Sequence, residues 1–268
     1  TKFGFWRNIS LVALFMVMTA LVVSAGVEQG IEKWSRRLMP SLLLLLVSLI
    51  VYVLLQDGAI SGLGHYLVSD FSQMTDPSLI VSALGQAFFS MSLGVGTMLI
   101  YGSYIGSQEN LTRLGILVTL ADTGIAVLAG LLILPAMFVA QHLGVKIYAD
   151  GGSLVAGPDL IFQVLPALFR SMGITGLSIS FAFFILMSIA ALTSSISMLE
   201  VPVSYAVESQ NLNRSSATWG ISTLIFLVSV GICKNFQQTF GLVIAITTEW
   251  SQPILSMFLC LFAGWVFH

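Results

Sequence analysis

The sequence predicts an all-α integral membrane protein in which one membrane-spanning helix is interrupted. Three observations carry that prediction. First, the 268 residues are 57% hydrophobic and only 8% charged, with a mean hydropathy of +0.97, whereas a soluble domain carries about 25% charged residues. Second, apolar runs long enough to cross ~30 Å of hydrocarbon recur at about 8–25, 40–56, 78–105, 112–139, 174–207, 216–233 and 240–267, which makes seven helices. Third, one of these runs has a middle that a continuous helix does not favour.

That run, Leu79 to Tyr104, reads LIVSALGQAFFSMSLGVGTMLIYGSY and carries no charge. At its centre, Ser90-Met91-Ser92-Leu93-Gly94-Val95-Gly96 sets two glycines beside two hydroxyl residues, so the helix should loosen or break there. Opened backbone at bilayer depth is tolerated only where it lines a cavity or is buried in protein. A break frees carbonyls at the end of one half-helix and N–H groups at the start of the next. These are ligands for a cation and for an anionic group respectively. The pattern predicts a binding site for a charged solute inside a membrane transporter.

The net charge of −2 gives no case for nucleic acid or for a polybasic lipid anchor. Cys233 and Cys260 sit at or inside apolar segments, which suits packing better than a disulfide or a metal site. His65 and His142 fall in loops and His268 is terminal, so they assemble no zinc constellation. The chain opens at Thr1 and Lys2 to Arg7 does not resemble a signal peptide, so it reads as a piece of a longer protein.

The connections set the orientation. Between the first two runs lies GVEQGIEKWSRRLMP, where Lys33, Arg36 and Arg37 place the loop on the cytoplasmic side. The next loop, Gln56 to Pro77, has no Lys or Arg and should face outward. Alternation then puts Arg113 and Arg214 inside, and Lys146 and Arg170 in a long outer segment, 141–173. There Leu160, Ile161, Val164, Leu165 and Leu168 fall at helical spacing, predicting a short amphipathic hairpin over the outer mouth. The plainer alternative is a surface loop packed on the bundle.

Two further places could carry chemistry. Asp122, in LADTGIAVLAG, lies about ten residues into its helix, ~15 Å deep at helical rise. An intramembrane carboxylate marks an ion or proton path with a partner, the alternative being a structural hydrogen bond. In the run Ala190 to Met198, positions 190, 193, 194 and 197 share one helical face. That face offers a carbonyl and hydroxyls, hard oxygen ligands for a weakly bound monovalent cation. Back-bonding hydroxyls and helix-to-helix glue are the alternative. Glu200 is a candidate buried network partner, and Glu208, near the inner end, a candidate gate ion pair. Glu249 is the only acid of the last run, and Phe88 and Phe89 precede the break, where one is a candidate lid.

GIEKWSRRLMP, GQAFFSMSLGVGTMLIYGSY, LADTGIAVLAG, GPDLIFQVLPALF and AALTSSISMLEV, in this order and spacing, resemble the neurotransmitter:sodium symporter family, in particular its bacterial sodium-dependent amino-acid transporters. The resemblance implies an inverted-repeat transporter fold with a discontinuous helix, present in part as helices four to ten. Residues 1–268 would then be a single membrane domain fragment. Within it, 1–56 would hold the last two helices of the first repeat and 78–267 the second five-helix repeat. Ser90, through its hydroxyl and carbonyl, would ligate a first sodium with Asp122. Ala190, through its carbonyl, would ligate a second sodium with Thr193 and Ser194. An acid at Asp122 is expected to stand in for the chloride that animal members need. Phe89 would be the lid, Ser90, Ser92, Leu93, Gly94, Val95 and Gly96 would line the substrate pocket, and Ser194 and Met198 would lie opposite. Tyr104 and Glu208 would belong to the inner gate.

The family usually has an aspartate where Glu208 stands, and the acid expected near the outer gate has no match at about 237–240. Both sodium sites also borrow ligands from a first helix that is absent here. The resemblance therefore implies sodium-coupled symport of a neutral amino acid across the cytoplasmic membrane. The partners would be the lipid bilayer, sodium, the amino acid and the missing helices of the same transporter, with no nucleic acid. One rival is a non-transporting split fragment that serves as an interaction module for the missing helices. Another is a membrane-embedded enzyme using Asp122 with Glu200, which no catalytic His or nucleophile elbow supports.

Overall fold

The computed structural model describes residues 2–68, 74–106, 108–148, 154–155, 157 and 160–265. The helices run α1 (Lys2–Ser24), α2 (Lys33–Leu54), α3 (Ala59–Leu67), α4 (Pro77–Ser90), α5 (Thr97–Ser103), α6 (Leu111–His142), α7 (Leu165–Ser171), α8 (Gly173–Gln210), α9 (Arg214–Lys234), α10 (Phe236–Ile244) and α11 (Gln252–Trp265). Wider π-helical turns cover Val27–Glu32, Leu160–Val164 and Ala245–Ser251.

Among the described residues, six continuous stretches are long and apolar enough to cross a membrane: Gly4–Ser24, Gln29–Leu54, Leu111–His142, Gly173–Gln210, Arg214–Lys234 and Thr239–Trp265. The run expected at 78–105 is the interrupted one, divided into α4 and α5. The chain is a multi-pass, all-α membrane protein. Leu11, Leu14 and Leu21 on α1, Leu44 and Val51 on α2, and Leu224, Leu227 and Val228 on α9 are exposed. Such faces would be a liability in water and suit a bilayer.

The described chain forms two compact units. The first comprises Thr1–Arg37, Gln73–Leu114 and Ala191–His268. Its core joins Val22 and Val23 of α1 with Ile196, Leu199 and Val203 of α8 and Ala217 of α9. Here α1 packs along α9, and α4 packs against α11. α2 begins at Lys33, earlier than the apolar run suggests, because the π-turn at 27–32 leads straight into it.

The second unit comprises Leu38–Ser72 and Gly115–Ala190. Leu42, Leu46, Leu49 and Val53 form one helical stripe on α2, in the same core as Ala136, Met137 and Ala140 of α6 and Phe183 and Leu186 of α8. The segment expected to be amphipathic is helical and buried: Leu165 and Leu168 are each 1% exposed, and the Phe169 ring stands 5.6 Å from that of Phe183. Much of 151–159, where the rest of a hairpin was expected, lies outside the described residues. α3, in the loop expected at 56–77, was not foreseen. It docks through Gly62, where an added Cβ would sit 2.6 Å from Pro135 Cα, and through Tyr66, whose hydroxyl donates to the Val127 carbonyl at 3.3 Å.

Candidate functional site

The interruption sits where the glycines put it. α4 ends at Ser90, α5 starts at Thr97, and the chain between them turns through positive φ at Ser92 (52°), Gly94 (81°) and Gly96 (86°). Glycine reaches this region without a steric penalty, and Ser92 does so at some cost. The last turn of α4 closes on itself: Met91 N–H donates to Ala87 O at 3.1 Å, Ser92 N–H to Phe89 O at 3.0 Å and Leu93 N–H to Phe88 O at 3.0 Å. The amides of Gly94, Val95 and Gly96 find no acceptor among the described residues. The break thus presents consecutive free donors.

Its carbonyls are less free than the sequence implies. The Gln252 side-chain amide, at the start of α11, donates to Phe88 O and to Leu93 O, each at 3.3 Å. Gln252 is only 5% exposed. Gly94 lies against the same turn, where an added Cβ would meet Ser256 Oγ at 2.6 Å and Gln252 O at 2.7 Å. No periodicity or motif linked Gln252 to the break, because the two are 164 and 159 positions apart along the chain.

α8 supplies the other wall of this unit. The Tyr101 hydroxyl of α5 donates to Ser197 Oγ at 2.7 Å, and Ser197 Oγ donates to the Thr193 carbonyl at 3.2 Å. On the far side of α8, Ser195 Oγ meets Thr19 Oγ1 of α1 at 2.8 Å. Further along, Glu200 is fully buried. Its Oε1 accepts from the Tyr104 hydroxyl at 2.6 Å and from Ser204 Oγ at 2.9 Å, and its Oε2 pairs with the Arg214 guanidinium. Arg214 Nε also donates to the Val23 carbonyl at 3.0 Å. A buried carboxylate needs such a set of partners, since an uncompensated charge there is costly. Beside the break opens a cavity of about 520 Å³, lined by Ser92, Leu93, Gly94, Met98, Leu259 and Phe262. That is the size range of small-molecule sites.

A discontinuous membrane helix at a binding site recurs in transporters, and the relatives of this chain are transporters of one family. Residues 3–267 match the sodium:neurotransmitter symporter family. The chain belongs to this family. It is 37% identical to the uncharacterized sodium-dependent transporter YhdH of Bacillus subtilis (strain 168), over 83% of this chain and 47% of that protein. It is 35% identical to an uncharacterized sodium-dependent transporter of Haemophilus influenzae, over 80% of this chain and 44% of that one. Among solved structures, MhsT in complex with L-phenylalanine superposes with a TM-score of 0.81 at 35% identity, over 95% of this chain and 58% of MhsT. The chain spans about half the length of the relatives it matches.

The family is one of sodium-dependent transporters, not enzymes, and this chain carries part of its inverted-repeat fold. Within the first unit lie Phe89, Ser90, the Ser92–Gly96 turn, Tyr104, Thr193, Ser194, Met198 and Glu208. Thr193 is buried, while Phe89, Ser90, Ser194, Met198, Tyr104 and Glu208 are exposed. Asp122, half-buried on α6, and Ala190, half-buried on α8, belong to the second unit. Both make further contacts of their own. Glu200 stands out in the sequence but its partner Arg214 does not, and Glu208 reads there as interfacial, with a gate ion pair as its functional reading. The buried pair is Glu200 with Arg214, and Glu208 lies exposed two turns further along α8.

Proposed function

We propose that this chain forms the substrate-binding half of a sodium-coupled symporter for neutral amino acids in the cytoplasmic membrane, within a longer protein. The observation that carries this reading is the run of free amides at Gly94, Val95 and Gly96 in an interrupted span. Backbone donors turned out of a helix at membrane depth suit a carboxylate. The adjoining cavity, walled by Met98, Leu259 and Phe262, suits an apolar side chain. MhsT, similar in fold and sequence, is a phenylalanine-bound member, which fits that substrate class.

In this reading the substrate pocket is lidded by Phe89, lined by Ser90, Ser92, Leu93, Gly94, Val95 and Gly96 and faced from α8 by Ser194 and Met198; of these, the cavity beside the break takes in Ser92, Leu93, Gly94 and Gly96. Ser90 and Asp122 serve one sodium, and Ala190, Thr193 and Ser194 a second. Hydroxyls and carbonyls hold a monovalent cation weakly enough to release it. The carboxylate of Asp122 makes chloride unnecessary. Tyr104 and Glu208 belong to the inner gate, to which the Tyr104–Glu200 contact adds a buried anchor. Residues 1–56 close the first repeat and 78–267 make up the second. Coupling follows if sodium favours the outward-open state and substrate is released inward.

The test is uptake of a panel of labelled amino acids into proteoliposomes holding the full-length protein that carries this chain. Uptake of neutral amino acids that needs an inward sodium gradient, and persists when chloride is replaced by gluconate, is the expected outcome. Equal uptake with potassium in place of sodium overturns it.

A further inference from the structure

We infer that Gln252 is a positioning residue that holds the interrupted span in the shape its Gly94–Gly96 amides need to meet a substrate carboxylate; this rests on the proposed reading of the break as the substrate site. A primary amide carries two hydrogens on one nitrogen, and Gln252 Nε2 has two acceptors, Phe88 O and Leu93 O, each at 3.3 Å. One of these carbonyls belongs to the last turn of α4, the other to the turn beyond it. Phe88 O also takes the Leu93 N–H at 3.0 Å. The loop from Phe88 to Leu93 is thereby tied at both ends to a single side chain.

The surroundings fit a clamp. Gln252 is 5% exposed, and Ser256, one turn on, is 1% exposed. Ser256 Oγ donates to the Gln252 carbonyl at 2.7 Å, which keeps that carbonyl occupied beside Gly94. The π-turn at Ala245–Ser251 ends with the Gln252 N–H on the Thr247 carbonyl. A π-turn inserts one extra residue and so re-phases the helix that follows by about 100°. That re-phasing decides which face of α11 bears on the break. Asparagine would be one methylene too short, and ionised glutamate would bring an acceptor to two carbonyls.

The clamp has a chemical consequence. Two carbonyls that a broken helix would otherwise offer to a cation are occupied by an amide. The amides of Gly94, Val95 and Gly96 meanwhile stay open to an acceptor such as a carboxylate.

Gln252→Met keeps the size and removes both donors; the full-length protein in detergent is compared with wild type by hydrogen–deuterium exchange and by uptake in proteoliposomes. Amides in the peptide covering 88–97 should exchange roughly tenfold faster, while those of α9 stay unchanged. The KM for the labelled neutral amino acid that wild type takes up best should rise about tenfold, with the maximal rate within twofold. Unchanged exchange at 88–97 overturns the clamp, and faster exchange with an unchanged KM overturns its part in substrate binding. Faster exchange in a protein whose wild type takes up no amino acid keeps the clamp and removes the substrate reading. If Gln252→Met gives no monodisperse protein, Gln252→Glu, which keeps size and polarity, is judged by the same outcomes.

Discussion

Arg214, the first residue of α9, reaches the fully buried carboxylate of Glu200 on α8 and at the same time caps the Val23 carbonyl of α1. One guanidinium therefore ties three helices of the first unit together at the point where Tyr104 also arrives. Arginine suits this role because its planar fork offers several donors in fixed directions.

Removing the guanidinium should be worse than neutralising the carboxylate. Arg214→Gln leaves the Glu200 charge buried with hydroxyl partners alone, and we expect a loss of about 3–5 kcal/mol, visible as a lower melting temperature in detergent. Glu200→Gln keeps acceptance from Tyr104 and Ser204 and should cost less. Equal melting of Arg214→Gln and wild type would show that the pair carries no stability.

Tyr101 connects the half-helix after the break to the backbone of Thr193 through Ser197. Tyr101→Phe removes one hydroxyl and leaves the ring. The loss of a bond worth about 1 kcal/mol should raise the sodium concentration for half-maximal uptake about fivefold. The check is a sodium titration at saturating amino acid. An identical titration curve would detach Tyr101 from the cation site.

Asp122→Asn tests the proposed first sodium site. An amide keeps the shape and discards the charge, so sodium affinity should fall about tenfold or more, with chloride dependence appearing as the anion substitutes for the lost carboxylate. Radiolabelled sodium binding at several chloride concentrations reads both effects. Unaltered sodium dependence would take Asp122 out of the site.

Gly94→Ala probes the contact between the break and α11. The new Cβ would crowd Ser256 Oγ and Gln252 O at 2.6 and 2.7 Å, on a backbone at φ 81°. The expected cost is about 1–3 kcal/mol, with faster proteolysis between α4 and α5. Gly102→Ala, where a Cβ meets nothing within 4 Å, should be nearly silent in the same assay.

What the sequence determined by itself was what depends on neighbours along the chain. Apolar length made the spans, and two glycines beside two serines located the interruption at 90–96, because lipid compatibility and backbone freedom are properties of short stretches. A lone acid in an apolar run marked Glu200 as a residue in need of partners for the same reason. Only the tertiary structure decided who those partners are. Arg214 is 14 residues from Glu200, Thr19 is 176 from Ser195 and Gln252 is 164 from Phe88. α3 likewise forms in a glycine-bearing loop of weak helical propensity because it docks on α6. A hydrogen bond or a close glycine contact is chosen by distance in space, and that distance is fixed only when the helices have packed.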